Sequence, residues 1–226
     1  MKDQHKFSPT TCYILLAILF LIAFAERVFF DLGPNFELVT TALILSSFYF
    51  GKKESFLLVF FIMLFSDFII GNTNIFIFTW SGFLIPALFS TNLINRISYS
   101  INNLSLKTRN LLLSKSFPKN KSQSQITSKI FTFLSLTLSG LISNLFFFFW
   151  TNFGVWLLDS WNMYPNSFQG LIMAYINALP FLKYQTLSTL LLLPNGFLLT
   201  ETFIFFYKNI SPIQTRNFQP TPDKAR

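Results

Sequence analysis

What most limits the folds open to this chain is a succession of apolar runs almost free of charge, divided by short polar breaks. The runs are residues 12–30, 36–50, 55–70, 75–94, 130–150 and 184–207. A helix of about 20 apolar residues crosses a hydrocarbon layer ~30 Å thick. Lipid offers no water to backbone amides, so each crossing segment must satisfy its own hydrogen bonds, and a helix does so. Charged residues make up only 12% of the chain and mean hydropathy is +0.50, where soluble domains carry about 25% charge. The expectation is an all-α integral membrane protein, a six-helix transmembrane bundle. It comprises a tail over 1–11, a membrane domain over 12–207 that includes a basic, partly disordered loop over 95–129, and a second tail over 208–226.

The breaks carry their own signals. Gly33-Pro34, Gly51-Lys52-Lys53-Glu54 and Gly71-Asn72-Thr73-Asn74 read as tight turns. Residues 151–169 read as a polar-aromatic cap loop. Residues 171–182 are apolar but too short to span, and Pro180 interrupts them, so they read as a re-entrant or interfacial piece. Pro86 predicts a kink, and Pro194-Asn195-Gly196 a bend. A rival reading takes residues 1–25 as a signal peptide ending in Ala23-Phe24-Ala25.

Charge placement orients the bundle. With both termini in the cytoplasm, Lys2, Lys6, Lys52, Lys53, the bases of 95–129, Lys208, Arg216, Lys224 and Arg226 all lie inside, and only Arg27 and Lys183 lie outside. This is the positive-inside pattern of a multi-pass protein of the inner (plasma) membrane. It accounts for the net charge of +8 without nucleic acid, and it sets the basic loop against anionic lipid. The outer face collects Glu26, Asp31, Glu37, Asp67 and Asp159, together with Trp80, Trp150, Trp156 and Trp161.

Catalytic chemistries find little support. Cys12 and His5 are the sole residues of their types, so there is neither an internal disulfide nor a Cys/His metal cluster. No G-x-x-x-x-G-K phosphate loop occurs. A Ser–His hydrolase would need a buried histidine, and a paired-aspartate protease a second aspartate beside Asp67. Neither an enzyme nor a cofactor is expected. The side chains that remain suit a small-molecule site: Asn35, Glu37 and Thr40 at the start of the second run, Asp67 at the end of the third, Asn152, Trp156 and Tyr164 in the cap, and Asn177 beyond it. Aromatic walls with a few amides and carboxylates are the usual makeup of such sites, and the carboxylates favour a cationic or hydrogen-bond-donating ligand. Each residue also has a plainer role: Asp67 pairing with Arg27, Asn152 capping backbone, Trp156 anchoring at the interface, Asn35 and Asn177 satisfying irregular backbone, and Glu37 an ordinary surface acid. Glu201, inside the sixth run, is either functional or paired with Lys208.

Three stretches carry a resemblance. They are Asn35-Phe36-Glu37-Leu38-Val39 with Tyr49-Phe50-Gly51-Lys52; Leu64-Phe65-Ser66-Asp67 with Gly71; and Thr151-Asn152-Phe153-Gly154-Val155-Trp156-Leu157 with Tyr164-Pro165, Gly170, Tyr175 and Ala178-Leu179-Pro180-Phe181. Over roughly 12–207 the chain resembles an uncharacterised family of bacterial membrane proteins, itself similar to the substrate-binding S components of energy-coupling factor transporters. Leu38 replaces the family's proline, Ser46-Ser47 replaces a Gly-Gly pair, and Thr189 stands where an acid is expected. The first helix lacks the Ala-x-x-x-Ala docking motif. The resemblance implies an S-component-like six-helix fold with a ligand pocket under outer loops. The function expected is binding or uptake of a small molecule, a vitamin or precursor, with an energising ATPase module as a partner. The alternative is an interaction or assembly protein whose cap docks another chain.

Overall fold

The computed structural model describes residues 9–30, 33, 36–71, 74–112, 121–159 and 162–216, with side chains over the parts of these within 10–106 and 127–207. The described residues are helical with no strand. The elements are α1 (Pro9–Ala25), a five-residue π turn (Glu26–Phe30) continuing it, α2 (Val39–Tyr49), α3 (Lys52–Ile70), α4 (Phe76–Leu112), α5 (Lys121–Leu158) and α6 (Phe168–Arg216). Four stretches are long and apolar enough to cross a membrane: Thr10–Phe30, Phe76–Leu106, Thr127–Leu158 and Phe168–Tyr207.

The shortest helix organises the rest. α2 is 11 residues long, about 16 Å at the α-helical rise, or roughly half a hydrocarbon layer. It packs against α1, α3, α4, α5 and α6, and every residue in it except Phe48 is buried. The expected second span is thus a core helix enclosed by its neighbours. Ser46 and Ser47, in place of a glycine pair, are fully buried. The Ser46 hydroxyl donates to the carbonyl of Ala42 at 2.6 Å, and Ser47 bonds Ser90 of α4, so small hydroxyls permit close helix approach while satisfying themselves. α6 comes in over two glycines. A Cβ on Gly196 would lie 2.9 Å from Leu45 Cδ1, and one on Gly140 of α5 2.9 Å from Thr189 Cγ2.

Three expectations are corrected. Residues 151–158 are not cap loop but the last two turns of α5, and residues 171–182 are neither re-entrant nor flat but the opening of an unbroken α6. Pro180 lacks one amide donor, yet nothing in an apolar surrounding competes for the remaining backbone groups, so the helix runs on. The supposed loop 95–129 is mostly helix, with α4 running to Leu112 and α5 starting at Lys121. Its period is visible in burial: Ile94, Ile97, Ser98, Ile101 and Ser105 form the inward stripe, at the spacing of one helix face. Serine in place of an aliphatic residue hides that stripe from a hydropathy reading. Within the phenylalanine run, Phe147 and Phe148 face inward and Phe149 outward, as the turn of a helix requires.

Candidate functional site

The site begins where α1 changes pitch. The π turn sets Glu26 in the interior, and Arg27 beside it is only 16% exposed at its side chain. The Glu26 carboxylate accepts from the amide of Leu38 at 3.2 Å, bracing the segment that leads into α2. Arg27 reaches α3, where it donates through Nε to Ser66 Oγ at 2.9 Å and through Nη2 to Asp67 Oδ1 at 2.8 Å. Its other terminal nitrogen lies 3.8 Å from Glu37. The second oxygen of Asp67 accepts the indole N–H of Trp80, on α4, at 2.7 Å. Asp67 therefore holds two strong donors in fixed directions, one of them charged.

Glu37 carries the network into the centre. Its Oε1 accepts from Gln185 of α6 at 3.0 Å, and both residues are buried. One turn along, Asn144 of α5 is a hub. Its carbonyl accepts from Thr40 of α2 at 3.0 Å, and its amide donates to the backbone oxygen of Gln185 at 3.0 Å and to Thr189 Oγ1 at 2.8 Å. A continuous polar path thus links the π turn after α1 with α2, α3, α4, α5 and α6. It sets two carboxylates, Glu37 and Asp67, on the guanidinium of Arg27, with a third, Glu26, next to Arg27 in the π turn. No group of three or more His, Cys, Asp or Glu residues among the described ones is placed to hold a metal ion.

Of the sequence candidates, Glu37, Thr40 and Asp67 come together here. Asn35 lies outside the described residues, as do Asp31 and Trp161. The other four surround the α5–α6 connection instead. Asn152 donates to the carbonyl of Phe148 within its own helix at 2.7 Å, and Trp156 donates to the carbonyl of Pro165 at 3.2 Å. Asn177 reaches the hydroxyl of buried Tyr164 at 3.4 Å. Asp159, at φ 40°, caps the amides of Met163 and Tyr164. The conspicuous 151–157 stretch is therefore a packing device. Gly154 is flat against the ring of Phe78, with no room for a Cβ, and Gly170 lets the carbonyl of Pro165 pass equally close. The expected single pocket divides into a buried acidic network and a tied-down helix connection.

Asn144 and Gln185 were not anticipated. The available signal was a lone amide inside an apolar run, which in a membrane segment marks a bundle-facing position. Thr189, where an acid was expected, supplies a hydroxyl to Asn144. At the opposite end of the bundle, Glu201 of α6 accepts from Tyr49 of α2 at 3.0 Å and lies 3.4 Å from Lys129 of α5. Its pairing base is on the neighbouring helix.

A family model covers residues 6–203, the whole of both charged clusters. The chain belongs to DUF6580, a family of unknown function. No curated protein and no solved structure matches it.

Proposed function

We propose that this protein binds a small cationic or hydrogen-bond-donating molecule at the end of the bundle that carries Glu26, Glu37 and Asp67, and mediates its uptake. That end is the extracytoplasmic face, both termini are cytoplasmic, and the membrane is the plasma membrane. The basic residues at the other end support this orientation. The bundle is read as S-component-like, a vitamin or precursor is the ligand class, and an energising ATPase module is a candidate partner, although the first helix lacks the Ala-x-x-x-Ala docking motif.

One observation carries this reading: two carboxylates, Glu37 and Asp67, on one largely buried arginine beside a third, Glu26, on a path that runs from the π turn to α2, α3, α4, α5 and α6. Ionisable groups within a membrane bundle are costly, and where they occur they commonly line a substrate or ion route. Apolar residues of similar volume would hold six helices together as well or better. Three carboxyl groups against one guanidinium leave acceptor oxygens that a cationic or hydrogen-bond-donating ligand would engage.

The test is a thermal-shift screen of detergent-purified protein against amine-bearing and cationic vitamins and precursors, repeated on Glu37→Gln. A compound that raises the midpoint of the wild type and not of the variant supports the reading. A library in which no compound shifts the wild type counts against it. A second reading, docking of a partner chain, draws on the exposed Leu157, Leu158, Met163 and Phe168 around the α5–α6 connection. It predicts crosslinks from those positions to another protein in intact cells.

A further inference from the structure

We infer that the π turn ending α1 is an arm fastened over the acidic end by Arg27, and that release of Arg27 from Asp67 opens that end. The arm lies at the edge of the bundle. α1 packs on α2 and α3, the π turn packs on α3, and neither touches α4, α5 or α6 among the described residues. α1 itself is held by apolar packing, with Leu15 and Ala23 in the core, whereas the tip of the π turn is not, since Phe29 is 71% and Phe30 66% exposed. What ties it down is polar: Glu26 to the Leu38 amide, and Arg27 to Ser66, Asp67 and Glu37. Of these anchors, Arg27 makes both a charged pair and hydrogen bonds to α3.

The backbone at this point is built to yield. A π turn closes i→i+5 hydrogen bonds with looser packing than an α turn, and single π turns recur at functional sites within helices. Relaxing to α pitch would rotate Arg27 relative to α3. Asp67 would keep its bond from Trp80, so the receiving side of the fastener stays in place when the arm leaves. A cation arriving at Asp67 and Glu37 would compete with the guanidinium for the same oxygens. As a route into the binding site this rests on the reading above. As a fastener it does not, and it can be examined with no ligand present.

The experiment is a pulsed electron-spin distance measurement in full-length protein in nanodiscs. Spin labels replace Phe30 on the arm and Phe168 on α6, both exposed, in a Cys12→Ser background. The wild type should give one narrow distance. Arg27→Gln and Asp67→Asn should each add a second population at longer distance, while Trp80→Phe, which spares the ion pair, should keep the wild-type profile. Profiles for Arg27→Gln and Asp67→Asn that superimpose on the wild type would overturn the inference. Should both variants fail to fold, hydrogen exchange on the wild type decides. Amides 26–30 exchanging as a unit well before amides 12–25 support the fastened arm, and equal protection across 12–30 refutes it. A ligand screen that finds nothing leaves these outcomes unaffected, so the two proposals fail separately.

Discussion

Both ends of the bundle pair a carboxylate with a base, and they do so under opposite conditions. At the acidic end, Asp67 is 5% and Arg27 16% exposed at the side chain, and the pair continues through Glu37, Gln185 and Asn144 into the centre. At the basic end, Glu201 meets a Lys129 that is 69% exposed and accepts from Tyr49. An exposed pair gains little, because water screens the attraction and a flexible lysine loses rotamer freedom when held. A buried pair is costly to break, because the partner left behind is a desolvated charge. Charge of equal formal size is therefore structural glue at one end and a peripheral contact at the other.

Substitutions can break or sharpen that contrast. The largest loss is expected for Asp67→Ala, which strands Arg27 and the Trp80 indole. About 3–5 kcal/mol is the usual cost of orphaning one member of a buried pair, and it should appear as a steep fall in melting midpoint in detergent. Asn144→Leu removes three interhelical hydrogen bonds. Such bonds in membrane bundles average about 0.6 kcal/mol each, so a loss near 2 kcal/mol is expected by reversible unfolding, and a loss as large as that of Asp67→Ala would make the hub, and not the ion pair, the keystone. Tyr49→Phe removes the buried hydroxyl that faces Glu201 and should cost about 1 kcal/mol, the net worth of one hydrogen bond. Lys129→Ala should change the midpoint least, by under about 0.5 kcal/mol, and less still at high salt. A Lys129→Ala effect rivalling that of Asp67→Ala would erase the distinction between the two ends.

Much of the scaffold was legible because hydropathy alone marks where long apolar helices lie. α1, α3 and the apolar parts of α4, α5 and α6 fall on the runs read from the sequence. The errors cluster where composition is a poor guide to pitch. Serine and asparagine after Ile94 conceal an inward stripe, and Pro180 does not end a helix that has no water to turn to. The candidate site was half legible. Glu37, Thr40 and Asp67 lie on one hydrogen-bonded network, whereas Asn152, Trp156, Tyr164 and Asn177 sit along the α5–α6 connection at hydrogen-bonding tasks of their own.

The sequence by itself determined that this chain is helical, rich in membrane-length apolar segments, basic on one side of them and acidic on the other. Each of those properties is additive along the chain, a matter of how much apolar surface or charge lies within one run. Only the tertiary structure decided that α2 is the enclosed core, that Arg27 belongs to Asp67, and that Asn144 and Gln185 complete the network. The reason is geometric. A hydrogen bond needs its partners within about 3 Å, and residues as distant in the chain as Glu37 and Gln185 reach that separation only after helices with no mutual signature in sequence have packed.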